Sequence, residues 1–186
     1  MKRLFDLCLA LVVVLLLIPL ILVLVIIVRL TSVGSVFYWS NRVGRHNDTF
    51  KMPKFRTMLM DTPAVATHLL PNPKQFLTPV GSFLRKTSLD ELPQLWSIIK
   101  GDMSFVGPRP ALFNQEDLIE LRTQCGVDKL VPGLTGWAQI NGRDELPIPD
   151  KVKLDVEYMN NQSILFDLKV IVMTILKVIG RHGVQH

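Results

Sequence analysis

Arg85-Lys86-Thr87-Ser88-Leu89-Asp90-Glu91-Leu92-Pro93-Gln94 sets two adjacent carboxylates just after two cations. A free aspartate has a pKa near ~3.9, so Asp90 is ionised at neutral pH and available as a nucleophile or as a ligand for a hard cation. Glu91 can orient Asp90, share a metal with it, or serve the backbone. Mg²⁺ suits this pair, because it takes carboxylate oxygens together with substrate phosphates. A purely structural account competes: Ser88-x-x-Glu91 spells a capping box, and acids favour a helix N-terminus in any case. On the ten residues alone the capping account is the better one, and the case for chemistry rests on the stretches that follow.

Three further stretches carry groups suited to anions. In Gly107-Pro108-Arg109-Pro110, two prolines stiffen the chain around one arginine, and a guanidinium so held is a good fork for phosphate. Lys54-Phe55-Arg56-Thr57 alternates cations with an aromatic, as on a strand with one polar face; taken alone, a solvated strand edge is the better reading of it. Pro132 to Arg143 holds Gly133, Gly136, Trp137, Gln139, Asn141 and Gly142; it reads as a loop whose Trp137 either stacks on a base or packs inside. No Gly-x-Gly-x-x-Gly, Walker loop or Gly-x-Ser-x-Gly elbow occurs. His46, His68, His182 and His186 have no metal-ligand spacing and read as surface residues.

The elements that must position these groups can be placed coarsely. Val33 to Phe55 reads as strand and loop, and Met60 to Pro79, with Pro63, Pro71 and Pro73, as irregular chain with a short helix. Leu89 to Lys100 reads as a helix whose stripe is Leu89, Leu92, Leu95, Trp96 and Ile99, loosened in its first turns by Pro93 and stopped by Gly101. Helices are also expected over Glu116 to Gln124, Lys151 to Asn160 and Ile164 to Ile179. The last is apolar except for Asp167, Lys169, Thr174 and Lys177, and suits a membrane interface or a core face.

From Leu7 to Val28 the chain carries no charge, which is about enough to cross ~30 Å of hydrocarbon. The block is too long for a signal peptide and no cleavage pattern follows it, so it reads as retained. Lys2 and Arg3 precede it; Arg29, Arg42 and Arg45 follow it. Positive residues mark the cytoplasmic side, and both flanks carry them. Pro19 removes a backbone donor near the middle, leaving two arms of ~15–18 Å at ~1.5 Å per residue. A helix that dips into the membrane, bends at Pro19 and returns reconciles these features; a kinked single span is the alternative. Asp6 is spaced to pair with Lys2 or Arg3 at the membrane surface.

The chain has 186 residues, 48% of them apolar, and a net charge of +5. One domain plus one extra element fits that length. The positive balance favours anionic lipids or phosphorylated substrates. Without basic runs, interleaved aromatics or zinc-finger spacing, nucleic acid is not an expected partner. Cys8 and Cys125 form no Cys-x-x-Cys pair, and a reducing, cytosol-facing body follows.

Taken in order, these segments resemble the bacterial sugar transferase family, the monotopic phosphoglycosyl transferases. The matching stretches are Lys2-Arg3-x-x-Asp6, the proline-broken helix, Lys54-Phe55-Arg56-Thr57-Met58 and Thr87 to Gln94. They continue with Gly101-Asp102-Met103-Ser104, Val106-Gly107-Pro108-Arg109-Pro110 and Pro132-Gly133-Leu134-Thr135-Gly136-Trp137, and then Asp155, Tyr158 and Asp167. Each motif is weak alone; the ordered set covers nearly the whole chain. One departure is Ile18, where members of this kind often carry Ser before the helix-breaking proline.

The resemblance implies a mostly helical α/β fold of the minimal catalytic form. Residues 1–30 would be a re-entrant membrane helix and 31–186 a cytosolic, membrane-associated catalytic domain with interfacial amphipathic helices. It implies transfer of a sugar 1-phosphate from a UDP-sugar to undecaprenyl phosphate on the cytoplasmic face of the bacterial inner membrane, as the first membrane step of glycan assembly. Asp90 would be the nucleophile, giving a covalent aspartyl-phosphosugar and UMP. Glu91 would support Asp90 or share Mg²⁺ with it, and Arg109, Arg85, Lys54 and Arg143 would bind substrate. The sugar and the oligomeric state, a homodimer included, stay open. A non-catalytic membrane anchor and a hydrolase of nucleotide-linked lipids are the rival readings; the first predicts no UMP, the second UMP without a lipid-linked sugar.

Overall fold

The computed structural model describes residues 1–62, 72–142 and 146–180. It is mostly helical, with one long apolar helix packed on a small α/β body.

Helix α1 runs from Lys2 to Thr31, with Pro19 inside it. By length and composition it is the one helix among the described residues fit to cross a membrane. Its buried residues lie towards its two ends, Asp6 and Ala10 at the first and Leu24 and Val28 at the second. Leu11, Val12, Leu15, Leu16, Ile18 and Leu20 between them are exposed. The expected pairing of Asp6 with Lys2 or Arg3 does not occur. Asp6 is buried and accepts from the Phe105 amide at 3.3 Å. Lys2 instead pairs with Asp167, and Arg3 donates to the carbonyls of Ile98 and Ile99. Long-range partners for buried groups outweigh a surface pair within one turn, which is worth only a few tenths of a kcal/mol, ~0.2–0.5.

Strands β1 (Phe37–Val43) and β2 (Thr49–Phe55) form an antiparallel hairpin in register Phe37 with Phe55 and Val43 with Thr49. Its turn places His46 and Asn47 at positive φ, 57° and 63°; Asn and His tolerate that region better than most residues. Pro53 cannot donate to a ladder, and β2 is accordingly an edge strand: β1 lies between it and a short strand further along the chain, Ala111–Leu112.

Helix α2 (Gly81–Lys86) leads into a 3₁₀ segment, Leu89–Gln94, and then α3 (Leu95–Lys100). Pro93 thus does more than loosen the expected helix: it keeps the first turns in 3₁₀ geometry. That rotates the stripe. Trp96 is 60% exposed, while Ile98, absent from the expected stripe, is fully buried. Gly101 stops α3 with φ at 103°, as expected of a left-handed cap.

Strand β3 (Ser104–Val106) is followed by β4 (Ala111–Leu112), α4 (Glu116–Gln124), β5 (Gly133–Thr135), α5 (Trp137–Ile140), α6 (Ile148–Asn161) and α7 (Ile164–Ile179). The stretch after Pro132, expected as loop, therefore holds a strand and a helical turn. Strand β5 pairs in parallel with β3, Ser104 with Gly133 and Val106 with Thr135. The crossing is too tight for side chains: a Cβ on Gly133 would stand 2.1 Å from the Gly107 nitrogen.

The main core gathers Ala10 of α1, Met52 of β2, Leu95 and Ile98 of α3, Phe105 and Val106 of β3, Tyr158 of α6 and Val170 of α7. A second cluster joins Leu24 and Val28 to Phe55 and Leu84. Helix α7 is capped by Ser163, whose hydroxyl accepts from the Phe166 amide. It buries Asp167 and Val170 and exposes Leu165, Leu168, Val172, Ile175 and Leu176. Its apolar residues therefore face outward as well as inward.

Candidate active site

The expected capping box does not form. Ser88 adopts a left-handed conformation, φ 56°, and makes no side-chain cap. Freed from the backbone, the Glu91 carboxylate turns to two cations. Its Oε1 accepts from Lys54 Nζ at 2.8 Å and from Arg109 Nη2 at 3.2 Å. Lys54, on β2, is largely buried, so it is no solvated strand edge. Lys54 Nζ also stands 3.8 Å from Asp90 Oδ2. Arg85, at the end of α2, donates through Nε to Thr57 Oγ1 at 3.0 Å and interacts electrostatically with Asp90.

Asp90 itself is 7% exposed. Among the described residues no hydrogen bond reaches its carboxylate, which leaves lone pairs open inside a ring of cations. Burial pushes its pKa upward and Glu91 adds to this, while Lys54, Arg85 and Arg109 pull it down; the net direction is up. Glu91 goes the other way. Burial works against its charge, but Lys54 and Arg109 hold it well below the usual carboxylate range. Adjacent carboxylates thus divide: Glu91, held low, bridges the cations, and Asp90 is the member whose pKa is raised.

Arg109 is held from behind by residues that the sequence did not single out for this site. Arg122 on α4 donates through Nη1 to the Arg109 carbonyl at 2.8 Å. Its Nε and Nη2 both donate to Asp155 Oδ2 on α6, at 2.9 and 2.7 Å. Gly107 fixes the other side of the loop, because a Cβ there would stand 2.4 Å from the Val131 carbonyl. Asp155 had stood out only as part of a C-terminal pattern, and Arg122 lay unmarked on an ordinary polar helix.

Of the expected site residues, the fold gathers Lys54, Asp90, Glu91 and Arg109 around shared contacts, with Arg85 beside them. Arg143 lies outside the described residues. Trp137 packs against the Phe166 ring, centroids 5.0 Å apart, with Lys169 Nζ 5.3 Å from the Trp137 ring centroid. Packing, rather than an open stacking face, is its role in this fold.

A family model described as bacterial sugar transferase matches residues 1–181. The chain belongs to the bacterial sugar transferase family. Relatives include an uncharacterized sugar transferase, EpsL, of Bacillus subtilis (strain 168), 42% identical over 100% of this chain and 90% of that protein. The exopolysaccharide production protein ExoY of Rhizobium meliloti (strain 1021) is 41% identical over 94% of this chain and 83% of its own length. The UDP-glucose:undecaprenyl-phosphate glucose-1-phosphate transferase of Escherichia coli (strain K12) is 40% identical over 95% of this chain, which spans 40% of that protein. The sugar transferase described here is accordingly an enzyme of the phosphoglycosyl transferase class.

No group of three or more His, Cys, Asp or Glu side chains able to hold a metal occurs among the described residues. Asp90 nonetheless suits Mg²⁺ as a hard oxygen ligand with open lone pairs, in a site that a substrate's phosphates would complete. Glu91 is less available, because its Oε1 already holds Lys54 and Arg109.

Proposed function

We propose that this sugar transferase moves a sugar 1-phosphate from a UDP-sugar to undecaprenyl phosphate through a covalent intermediate on Asp90. The observation that carries the reading is the buried, unbonded Asp90 carboxylate among Lys54, Arg85 and Arg109, on a chain of this family. An Asp90 oxygen attacks the β-phosphorus of the donor. The bond from that phosphorus to the bridging oxygen breaks, and UMP leaves with the electron pair. An oxygen of the lipid phosphate then attacks the same phosphorus, the bond to Asp90 breaks, and the carboxylate is regenerated with undecaprenyl-diphosphate-sugar as product.

Both steps set an anion against an anion, so cations carry much of the catalysis. Arg109 and Arg85 hold the donor's phosphates, and Lys54 offsets charge at Asp90. Glu91 keeps Lys54 and Arg109 in place between turnovers. Mg²⁺, held by Asp90 and the diphosphate, would supply further charge neutralisation. UMP release from a panel of UDP-sugars, with Mg²⁺ and undecaprenyl phosphate, tests the reading. One preferred donor, UMP in proportion to lipid-linked sugar, and ping-pong kinetics are expected. UMP without a lipid-linked sugar would make the enzyme a hydrolase.

The membrane seat is proposed to be re-entrant, on the cytoplasmic face of the inner membrane. In a straight crossing the two ends of α1 would lie ~30 Å apart on opposite sides of the hydrocarbon. Here Arg3 and Asp6 at one end and Val28 at the other are all bonded or packed to the same body. That favours entry and exit on one side, with Pro19 in the exposed middle. In a background lacking Cys8 and Cys125, a cysteine inserted directly after Met1 and, separately, Ser35→Cys are both expected to react with an impermeant maleimide in inside-out vesicles and not in intact spheroplasts. Opposite labelling of the two positions would establish a span.

A further inference from the structure

A second cleft lies away from Asp90, between the β1–β2 hairpin and α3, with a volume of about 560 Å³. Trp39 and Trp96 line it and remain 49% and 60% exposed. Lys51 and Lys100 line it too, with Asp102. The proposed reaction uses none of these residues. Half-exposed tryptophans cost apolar hydration in water, whereas beside a lysine they are at home in the head-group layer of a bilayer, where one edge is apolar and the other wet.

The cleft is fixed at that depth. Arg3, in the first turn of α1, donates to the carbonyls of Ile98 and Ile99, in the last turn of α3. The next residue, Leu4, is 67% exposed and begins the apolar outer face of α1. The end of α3 therefore sits where α1 leaves the body. At this level the Lys51 ammonium has no ion partner among the described residues. Lys100 bonds Asp102 at 2.9 Å, which engages one of its three donors and leaves the others for a ligand. The cleft keeps a net positive charge between two aromatic walls.

We propose that this cleft binds the phosphate of an anionic phospholipid head group, and so sets the orientation of the catalytic body at the membrane. The inference rests on the membrane seat proposed above. The ligand's glycerol and first methylenes would lie along Trp39 and Trp96, and its phosphate between Lys51 and Lys100.

The test uses the full chain in neutral detergent micelles. A Trp137→Phe background makes Trp39 and Trp96 the remaining tryptophans. Added phosphatidylglycerol should change their emission saturably, whereas phosphatidylcholine should not. Lys51→Gln with Lys100→Gln should weaken the phosphatidylglycerol response roughly thirtyfold, each lysine near a membrane surface being worth about fivefold. Both lysines are exposed, so the fold should survive the change. An equal response to the two lipids, an undiminished response in the double variant, or saturation by inorganic phosphate at the same concentration as the lipid would each overturn the proposal. Flotation of the wild-type chain with pure phosphatidylcholine vesicles tests the seat separately. Its failure would remove the seat, while a failed titration with intact flotation would remove only the cleft.

Discussion

Asp90→Asn is expected to lower turnover by about 10³-fold or more while leaving melting temperature unchanged or raised. The first half follows from the proposed chemistry: an amide oxygen of the same shape cannot form the phosphoryl ester, and the neighbouring carboxylate, Glu91, is engaged by Lys54 and Arg109. The second half follows from the direction of the Asp90 pKa. Burial raises it in the folded protein, above its unfolded value. A carboxyl with a raised folded pKa binds its proton more tightly in the native state, so its ionisation at neutral pH opposes folding. A neutral isostere removes that cost. Loss of activity with gain of stability separates a reactive group from a structural one, whose removal would lower both. Steady-state UMP release and a thermal melt on the same preparation measure the two halves. Full turnover in the variant would end the nucleophile assignment.

The same shift fixes the pH dependence. Asp90 attacks only when ionised, so the rate of UMP release is lost as pH falls through its pKa and recovers above it. The raised pKa places that acidic limb above the ~3.9 of a free aspartate. Glu91, held low by Lys54 and Arg109, stays ionised throughout.

Much of this architecture was legible where a local signal and the tertiary fold agree. Glu116–Gln124 and Ile164–Ile179 fold over the expected bounds, because each has helical periodicity, and Ser163 and Gly180 bound the second at its two ends. The pairing of Asp90 with cations was also readable, since the charges cluster in Arg85 to Glu91 and recur at Lys54 and Arg109. What failed depended on distant partners. Nothing near Asp6 announces that the Phe105 amide will need it. Strand β5 is only three residues long and exists through β3. The Ser88 cap was locally sound but lost to Lys54 and Arg109, which offer Glu91 charge-assisted bonds worth more than one more bond to a backbone amide.

Asp155→Ala is expected to be the most destabilising single change in the body, by about 3–5 kcal/mol. Asp155 is 1% exposed and Arg122 8%. Truncating the acid leaves a guanidinium buried with one neutral acceptor, the Arg109 carbonyl, and arginine cannot shed its proton to escape. For a chain of this size the loss corresponds to a melting temperature lower by ~6–20 °C. The reverse truncation, Arg122→Met, should cost less, and less still in acid. Asp155 can neutralise itself, because burial already pushes its pKa up despite Arg122. With the folded pKa above the unfolded one, the native state of that variant binds more protons, so its stability falls as pH rises from the unfolded value of ~3.9 through the raised folded one. Asp155→Ala should show no such rescue at low pH. The pair also links α4 and α6 to the Arg109 carbonyl, so Arg122→Met at a temperature where it is folded should raise the KM for donor. Equal and pH-independent losses in the two variants would mean that Asp155 serves as packing volume, and that Arg109 is held by Gly107 and its prolines alone.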